Sequence, residues 1–274
     1  MGTLLSATFL LYRQALRATW QSFTRCWITV LALVAFAFLF VGGARIAAPL
    51  GMVGGLLLGA LNALLVGAIL RLVEQSLSAS RTIQFSDVVE SFGHYFWDVI
   101  GVGFVLWLPT MVLDMGTQAN PYGQLISSAF LLLVFILLNP APEVIYQVRH
   151  DSPLEVFKTC YEFVVEHWIE WFLPFVILAL PVVLSPSGLL EFLSLSGRGG
   201  RGAGLDFFQI LVLPFTLVGG WLSSAGVHPD IQWVLLLMAT PPVAILLLLF
   251  RGHLFALLQG TSRRQRIFAS QFYR

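Results

Sequence analysis

Seven apolar stretches, each close to twenty residues and each bounded by charge or proline, divide this chain from end to end. Arg25 and Arg45 bracket the first, and Arg45 and Arg71 the second. A third follows Asp98, a fourth runs from about Gly123 to Pro142, and a fifth lies between Glu170 and Glu191. A sixth lies between Asp206 and Asp230, and the last runs from Ile231 to Phe250. A helix needs about 20 mostly apolar residues to cross the hydrocarbon core of a bilayer. The pattern therefore predicts an all-α, polytopic integral membrane protein. Composition agrees: only 11% of residues are charged, against roughly 25% in soluble domains, and mean hydropathy is +0.85. That excludes an ordinary water-soluble enzyme and a disordered chain. The net charge of +1 gives no basic field for nucleic acid. Cys26 and Cys160 form neither a disulfide framework nor a metal-binding spacing. Arg13, Arg17 and Arg25 precede the first run, which exceeds the usual apolar core of a secretion signal (about 7–15 residues). We expect it to be a retained span.

Charge parity sets the expected number of crossings. If the Asp206–Asp230 stretch does not cross, Arg13, Arg17, Arg25, Arg71, Arg81, Arg149, Lys158, Arg251, Arg263, Arg264, Arg266 and Arg274 share the N-terminal side. Arg45, Arg198 and Arg201 remain on the other. A seventh crossing would carry the last five arginines across and erase the bias. Cytoplasmic loops are enriched in Lys and Arg, so six spans with both termini cytoplasmic are expected, in a bacterial inner membrane. Phe207–Trp221 then becomes a re-entrant or interfacial segment on the outer side. The Gly197–Gly202 stretch, with Arg198 and Arg201 among glycines, reads as a loop.

The chain also repeats itself. Trp27, Trp97 and Trp168 stand 70 and 71 residues apart, each at the entry to an apolar run. Before each lies an amphipathic pattern. In the first, Phe9, Tyr12, Leu16, Trp20 and Phe23 oppose Arg13, Arg17, Gln21 and Arg25. In the second, Val88, Val89, Phe92, Phe96 and Val99 oppose Asp87, Glu90, His94 and Asp98, and the helix is expected to start at Asp87. In the third, Ser152-Pro153-Leu154-Glu155 reads as a capped helix start. Leu154, Phe157, Tyr161, Val164, Val165 and Trp168 then oppose Glu155, Lys158, Glu162 and Glu166. Such helices lie in the plane of the bilayer surface, and tryptophan favours that interface. Leu108-Pro109 and Leu180-Pro181 fall 12 and 13 residues past their tryptophans. The expectation is one membrane domain, 1–274, made of three quasi-repeats (1–75, 76–145, 146–274). Each is a cytoplasmic-face interfacial helix followed by a two-span hairpin.

Asn139-Pro140-Ala141-Pro142-Glu143, Ser152-Pro153-Leu154-Glu155-Val156-Phe157 and Glu166-His167-Trp168 carry a resemblance. The layout resembles a bacterial family of six-span membrane domains, found beside glycerophosphoryl diester phosphodiesterases and in uncharacterised relatives. His167 stands where that family usually has Asn, and Val156 where it has Ala. The resemblance implies architecture; the soluble phosphodiesterase barrel is absent, and its catalysis does not transfer. The layout is also similar to the permease subunits of ABC-2 type exporters, which have an N-terminal interfacial helix, six spans and a re-entrant segment before the last.

Polar groups inside spans are costly and are functional candidates by default. Asn62 lies in the second apolar run, and Asn139 and Glu143 flank the proline pair that ends the fourth. These three are the candidate lining of a polar cleft. Glu74 and Glu143 are expected to pair with Arg71 and Arg149. Gly51, Gly55 and Gly59 share a helix face, with the small-residue spacing that lets helices pack closely, and packing within the chain is expected over dimerisation. Glu90, Glu155, Trp27, Trp97, Trp168 and the tail arginines Arg263, Arg264 and Arg266 are candidate contacts to lipid or a partner. No nucleophile elbow, phosphate loop or His-Glu-x-x-His motif occurs. The expected role is that of a non-enzymatic membrane subunit or scaffold, without cofactor or metal, in lipid handling or membrane organisation. Its expected partners are membrane lipids and a protein partner or second copy. The alternative is an exporter permease working with a separate ATPase.

Overall fold

A helix break stands immediately before two of the three spaced tryptophans, and a turn stands just before the third. The computed structural model describes residues 2–78, 82–117, 122–183 and 207–260, and all regular structure in them is helical. Helix α1 (Gly2–Arg25) ends at Cys26, whose φ of −117° and ψ of 30° leave the helical region before α2 (Trp27–Ala47) begins. Helix α8 (Pro153–Val183) departs from helical geometry at His167, with φ −123° and ψ 18°, one residue before Trp168. Between α4 (Phe85–Glu90) and α5 (Phe96–Thr117) the chain turns through Gly93 at φ 84°. Cys26 and His167 are buried, whereas Trp27, Trp97 and Trp168 are 59%, 74% and 59% exposed.

The other elements are α3 (Gly51–Ser78), α6 (Gly123–Leu137), α7 (Ala141–Gln147), α9 (Phe207–Ser224) and α10 (Pro229–Gln259). Among the described residues, five helical segments are long and apolar enough to cross a membrane: 27–78, 96–117, 125–147, 153–180 and 230–259. By length and composition these mark a membrane protein. The first, 52 residues long, folds back on itself. A three-residue 3₁₀ turn (Ala48–Leu50) and Gly51 at φ 54° reverse the chain, and α2 packs along α3. Gly43 approaches Leu61, and the Cys26 thiol lies beside the Ser76 hydroxyl, which fixes an antiparallel register.

Helix α9 doubles back on α10 through a turn at Ala225–Gly226, with Gly226 at φ 72°. Gln232 Nε2 donates to the Gly219 carbonyl at 3.3 Å, and Phe215 and Trp233 rings lie 6.1 Å apart. Trp221 Nε1 donates to the Leu178 carbonyl of α8 at 3.0 Å. At 1.5 Å per residue α9 is about 27 Å long and α10 about 46 Å.

The core runs through α1, α2, α3, α5, α7, α8 and α10. Trp171 is its largest fully buried side chain, with Phe163 and Phe255 against it. In α7 every residue from Ala141 to Tyr146 is buried.

One local expectation is corrected. The second repeat is not one helix from Asp87 to Val99: α4 stops at Glu90. It starts after Gln84, whose backbone N–H donates to the Asp87 carboxylate at 2.8 Å, so Asp87 is a buried third-position cap rather than the first residue. In the third repeat the face turned to the protein is Val156, Cys160, Phe163, Val164 and His167. Leu154, Tyr161, Val165 and Trp168 point outward.

Candidate functional site

A helix break at two prolines separates α6 from α7. Pro140 and Pro142 lack the N–H groups that would pair with carbonyls one turn earlier, so the chain turns at 138–140 before α7 begins. That break carries Asn139 and Glu143 into the bundle. Glu143 is fully buried, and a bare carboxylate there would be prohibitively costly. Arg251 of α10 neutralises it with a two-pronged contact. Its Nε donates to Oε1 at 2.7 Å and its terminal NH2 group donates to Oε2 at 2.8 Å. The same NH2 group donates to the Asn139 carbonyl at 2.5 Å, an acceptor exposed by the helix break.

Two further groups complete the cluster. Trp171 Nε1 of α8 donates to Asn139 Oδ1 at 2.8 Å. The Arg251 guanidinium lies 5.3 Å from the Trp171 ring centroid and 5.5 Å from that of Phe175, within cation–π range. One arginine thus joins α7, α8 and α10. Beside it, Gln147 Nε2 donates to the Gly252 carbonyl at 3.0 Å, and the buried Tyr146 hydroxyl closes on Gly252. Gly252 makes room for this packing: an added Cβ would sit 2.6 Å from Leu77 Cδ1 and 2.7 Å from the Tyr146 hydroxyl, and those side chains would have to shift.

A second polar group ties α3 to the start of α5. Arg71 pairs with Glu74 at 2.6 Å, and the Tyr95 hydroxyl donates to the same carboxylate oxygen at 2.8 Å. Burial first, and the Glu74 carboxylate second, push the Tyr95 hydroxyl well above the ordinary tyrosine range. Gly67 lets the Tyr95–Phe96 backbone approach, since a Cβ there would meet it at 3.1–3.2 Å. Asp98 and His150 face each other at 3.4 Å, and Gly101 packs on Pro153 at the head of α8.

Of the three cleft candidates, the structure brings Asn139 and Glu143 into one cluster. Asn62 lies on α3 nine residues before Arg71, about 14 Å away along the axis. Glu74 pairs with Arg71 as expected. Glu143 does not pair with Arg149, which is exposed; its partner is Arg251, 108 residues away. The reason is position: Glu143 opens α7 inside the bundle, whereas Arg149 follows the helix end. Glu90 and Glu155 are exposed, Glu155 accepting the Asp151 N–H at 2.9 Å. Gly51, Gly55 and Gly59 do not pack within the chain, because a Cβ at any of them would meet nothing within 4 Å. The close approaches fall on Gly43, Gly54, Gly67, Gly101 and Gly252 instead. Arg263, Arg264 and Arg266 lie outside the described residues.

Arg251, Trp171 and Tyr95 escaped sequence reasoning. The available signal was at Arg251, where apolar periodicity continues past the charge through Leu254, Phe255 and Leu258. A charge within such a run calls for a buried partner. Among the described residues no group of three or more His, Cys, Asp or Glu side chains could hold a metal ion. No family model, curated protein or solved structure matches this chain.

Proposed function

We propose that this chain is a six-span protein of a bacterial inner membrane, with both termini cytoplasmic, that works as a non-enzymatic subunit or scaffold in lipid handling or membrane organisation. The observation that carries this reading is the threefold recurrence of a break or turn, then an outward-facing tryptophan, then a long apolar helix. It suits a chain that enters the bilayer three times from one surface, through segments presented to lipid or a partner. The α2–α3 hairpin counts as two passes, which brings the five apolar segments to six. The polar cluster supports a structural role: Glu143, Asn139, Trp171 and Arg251 are hydrogen-bonded to one another across three helices.

A second reading, the permease subunit of an ABC-2 type exporter, is favoured by α9, an apolar helix that doubles back on α10 just before the last pass. The two readings separate on purification from native membranes. A scaffold leaves the membrane without a stoichiometric nucleotide-binding subunit, and Glu90→Lys or Glu155→Lys leaves its assembly state to lipid or partner contacts. A permease brings the ATPase with it, and the same charge reversals uncouple ATP hydrolysis while insertion is unchanged. Recovery of that subunit in equal amount sinks the scaffold reading.

A further inference from the structure

The exposed surfaces of the first and third repeats carry opposite charge. On α1 the buried stripe is Leu11, Ala15 and Thr19, and Ser22 Oγ lies 3.0 Å from His253 Nε2 of α10. That attachment fixes which way the rest of α1 faces. Outward it shows Phe9, Leu16 and Trp20, all more than half exposed, and directly beside them Arg13 and Arg17. No ion pair involves Arg13, Arg17 or Arg25 among the described residues. The corresponding part of α8 exposes Leu154, Tyr161, Val165 and Trp168 beside Glu155, Glu162 and Glu166, with Lys158 near Glu162.

Arg13 and Arg17 are one turn apart, a like-charge spacing that weakens a helix left to itself. An anion between them reverses the sign of that term, and guanidinium groups suit phosphate oxygens through paired hydrogen bonds. The apolar stripe of Phe9, Leu16 and Trp20 lies where acyl chains would run if α1 rests at the bilayer surface. From this juxtaposition we propose that α1 is a binding surface for anionic phospholipid, with the phosphate headgroup held by Arg13 and Arg17 and the acyl chains against Leu16 and Trp20. The proposal rests on the interfacial placement of α1 given above, and it assigns lipid selectivity to the first repeat rather than the third.

The test uses the full chain in a neutral detergent, titrated with phosphatidylglycerol or phosphatidylcholine and read by native mass spectrometry. Phosphatidylglycerol should bind preferentially. Arg13→Gln with Arg17→Gln should lower its affinity by about thirty-fold, from the surface attraction of two arginines. Lys158→Gln should leave it unchanged, and inorganic phosphate should not displace the lipid. Equal binding of both lipids, an unchanged affinity in the double variant, or displacement by inorganic phosphate overturns the proposal. A fluorophore on Leu16→Cys, in vesicles of brominated phosphatidylcholine, tells the two failures apart. Quenching without headgroup preference refutes lipid selectivity alone; no quenching refutes the interfacial placement as well.

Discussion

The two ends of this bundle are held together by different means. At one end, where α7, the middle of α8 and the C-terminal half of α10 meet, helices are joined by charge-assisted hydrogen bonds around Arg251 and by the Arg71–Glu74–Tyr95 group. At the other, the tip of the α2–α3 hairpin offers Leu50, Met52, Val53, Leu56 and Leu57 outward, with Gly55 and Gly59 facing open space. Apolar side chains gain little from one another in a solvent of acyl chains, so packing and hydrogen bonds must fix helix positions. The polar end therefore defines the arrangement, and the hairpin tip presents its apolar side chains outward.

The largest effect should come from breaking the pair at the polar end. Glu143→Gln or Arg251→Met alone strands one buried charge or its partner groups, and each should cost about 3–5 kcal/mol. Combining Glu143→Leu with Arg251→Met should restore most of that loss. Unfolding of the detergent-solubilised protein by heat or denaturing detergent measures both, and equal losses for the double variant and the sum of the singles would contradict the account.

Glycine substitutions sharpen the contrast. Gly252→Ala at the polar end forces Leu77 and Tyr146 apart and should destabilise by about 1–3 kcal/mol, as overpacking does. Gly55→Ala and Gly59→Ala at the tip meet no neighbour, and should be neutral or gain up to about 1 kcal/mol of helix propensity. A Gly55→Ala variant that loses stability, or self-association that disappears with it, would give that stripe a role between copies of the chain.

Tyr95 gives a smaller effect than the buried ion pair. Tyr95→Phe removes one hydrogen bond to Glu74 and should cost about 1–2 kcal/mol near pH 8. The folded tyrosine titrates above its unfolded value of 10.0, so its contribution is complete below pH 10 and falls as pH rises through the folded value. Stability of the parent should be flat from pH 8 to 9 and decline above pH 10, and Tyr95→Phe should decline less. An identical alkaline profile in the variant would remove Tyr95 from the cause.

Much of this arrangement is written in local sequence pattern. Apolar runs gave the long helices, and the spacing of Trp27, Trp97 and Trp168 marked the places where the chain breaks or turns. Arg71 and Glu74 are three residues apart on one helix, so their pairing is written in the spacing. The Glu143–Arg251 pair is not, because it joins elements 108 residues apart and depends on how α10 packs on α7. Tryptophan identity was equally ambiguous: Trp168 faces outward while Trp171, three residues later and past the His167 kink, is fully buried. Glycine spacing misled for a related reason. Four-residue intervals place Gly51, Gly55 and Gly59 on one face, but only a neighbouring helix makes a face an interface, and the neighbours came to Gly43, Gly67 and Gly252.

Labelling single cysteines with a membrane-impermeant maleimide tests the central layout directly. Ser86→Cys and Asp151→Cys lie at the polar end, and Ala48→Cys and Ala225→Cys at the opposite one, all four at exposed positions. The account predicts that intact spheroplasts label Ala48→Cys and Ala225→Cys, while Ser86→Cys and Asp151→Cys react only after the inner membrane is opened. Labelling of Asp151→Cys and Ala225→Cys from the same side of a sealed membrane would contradict it.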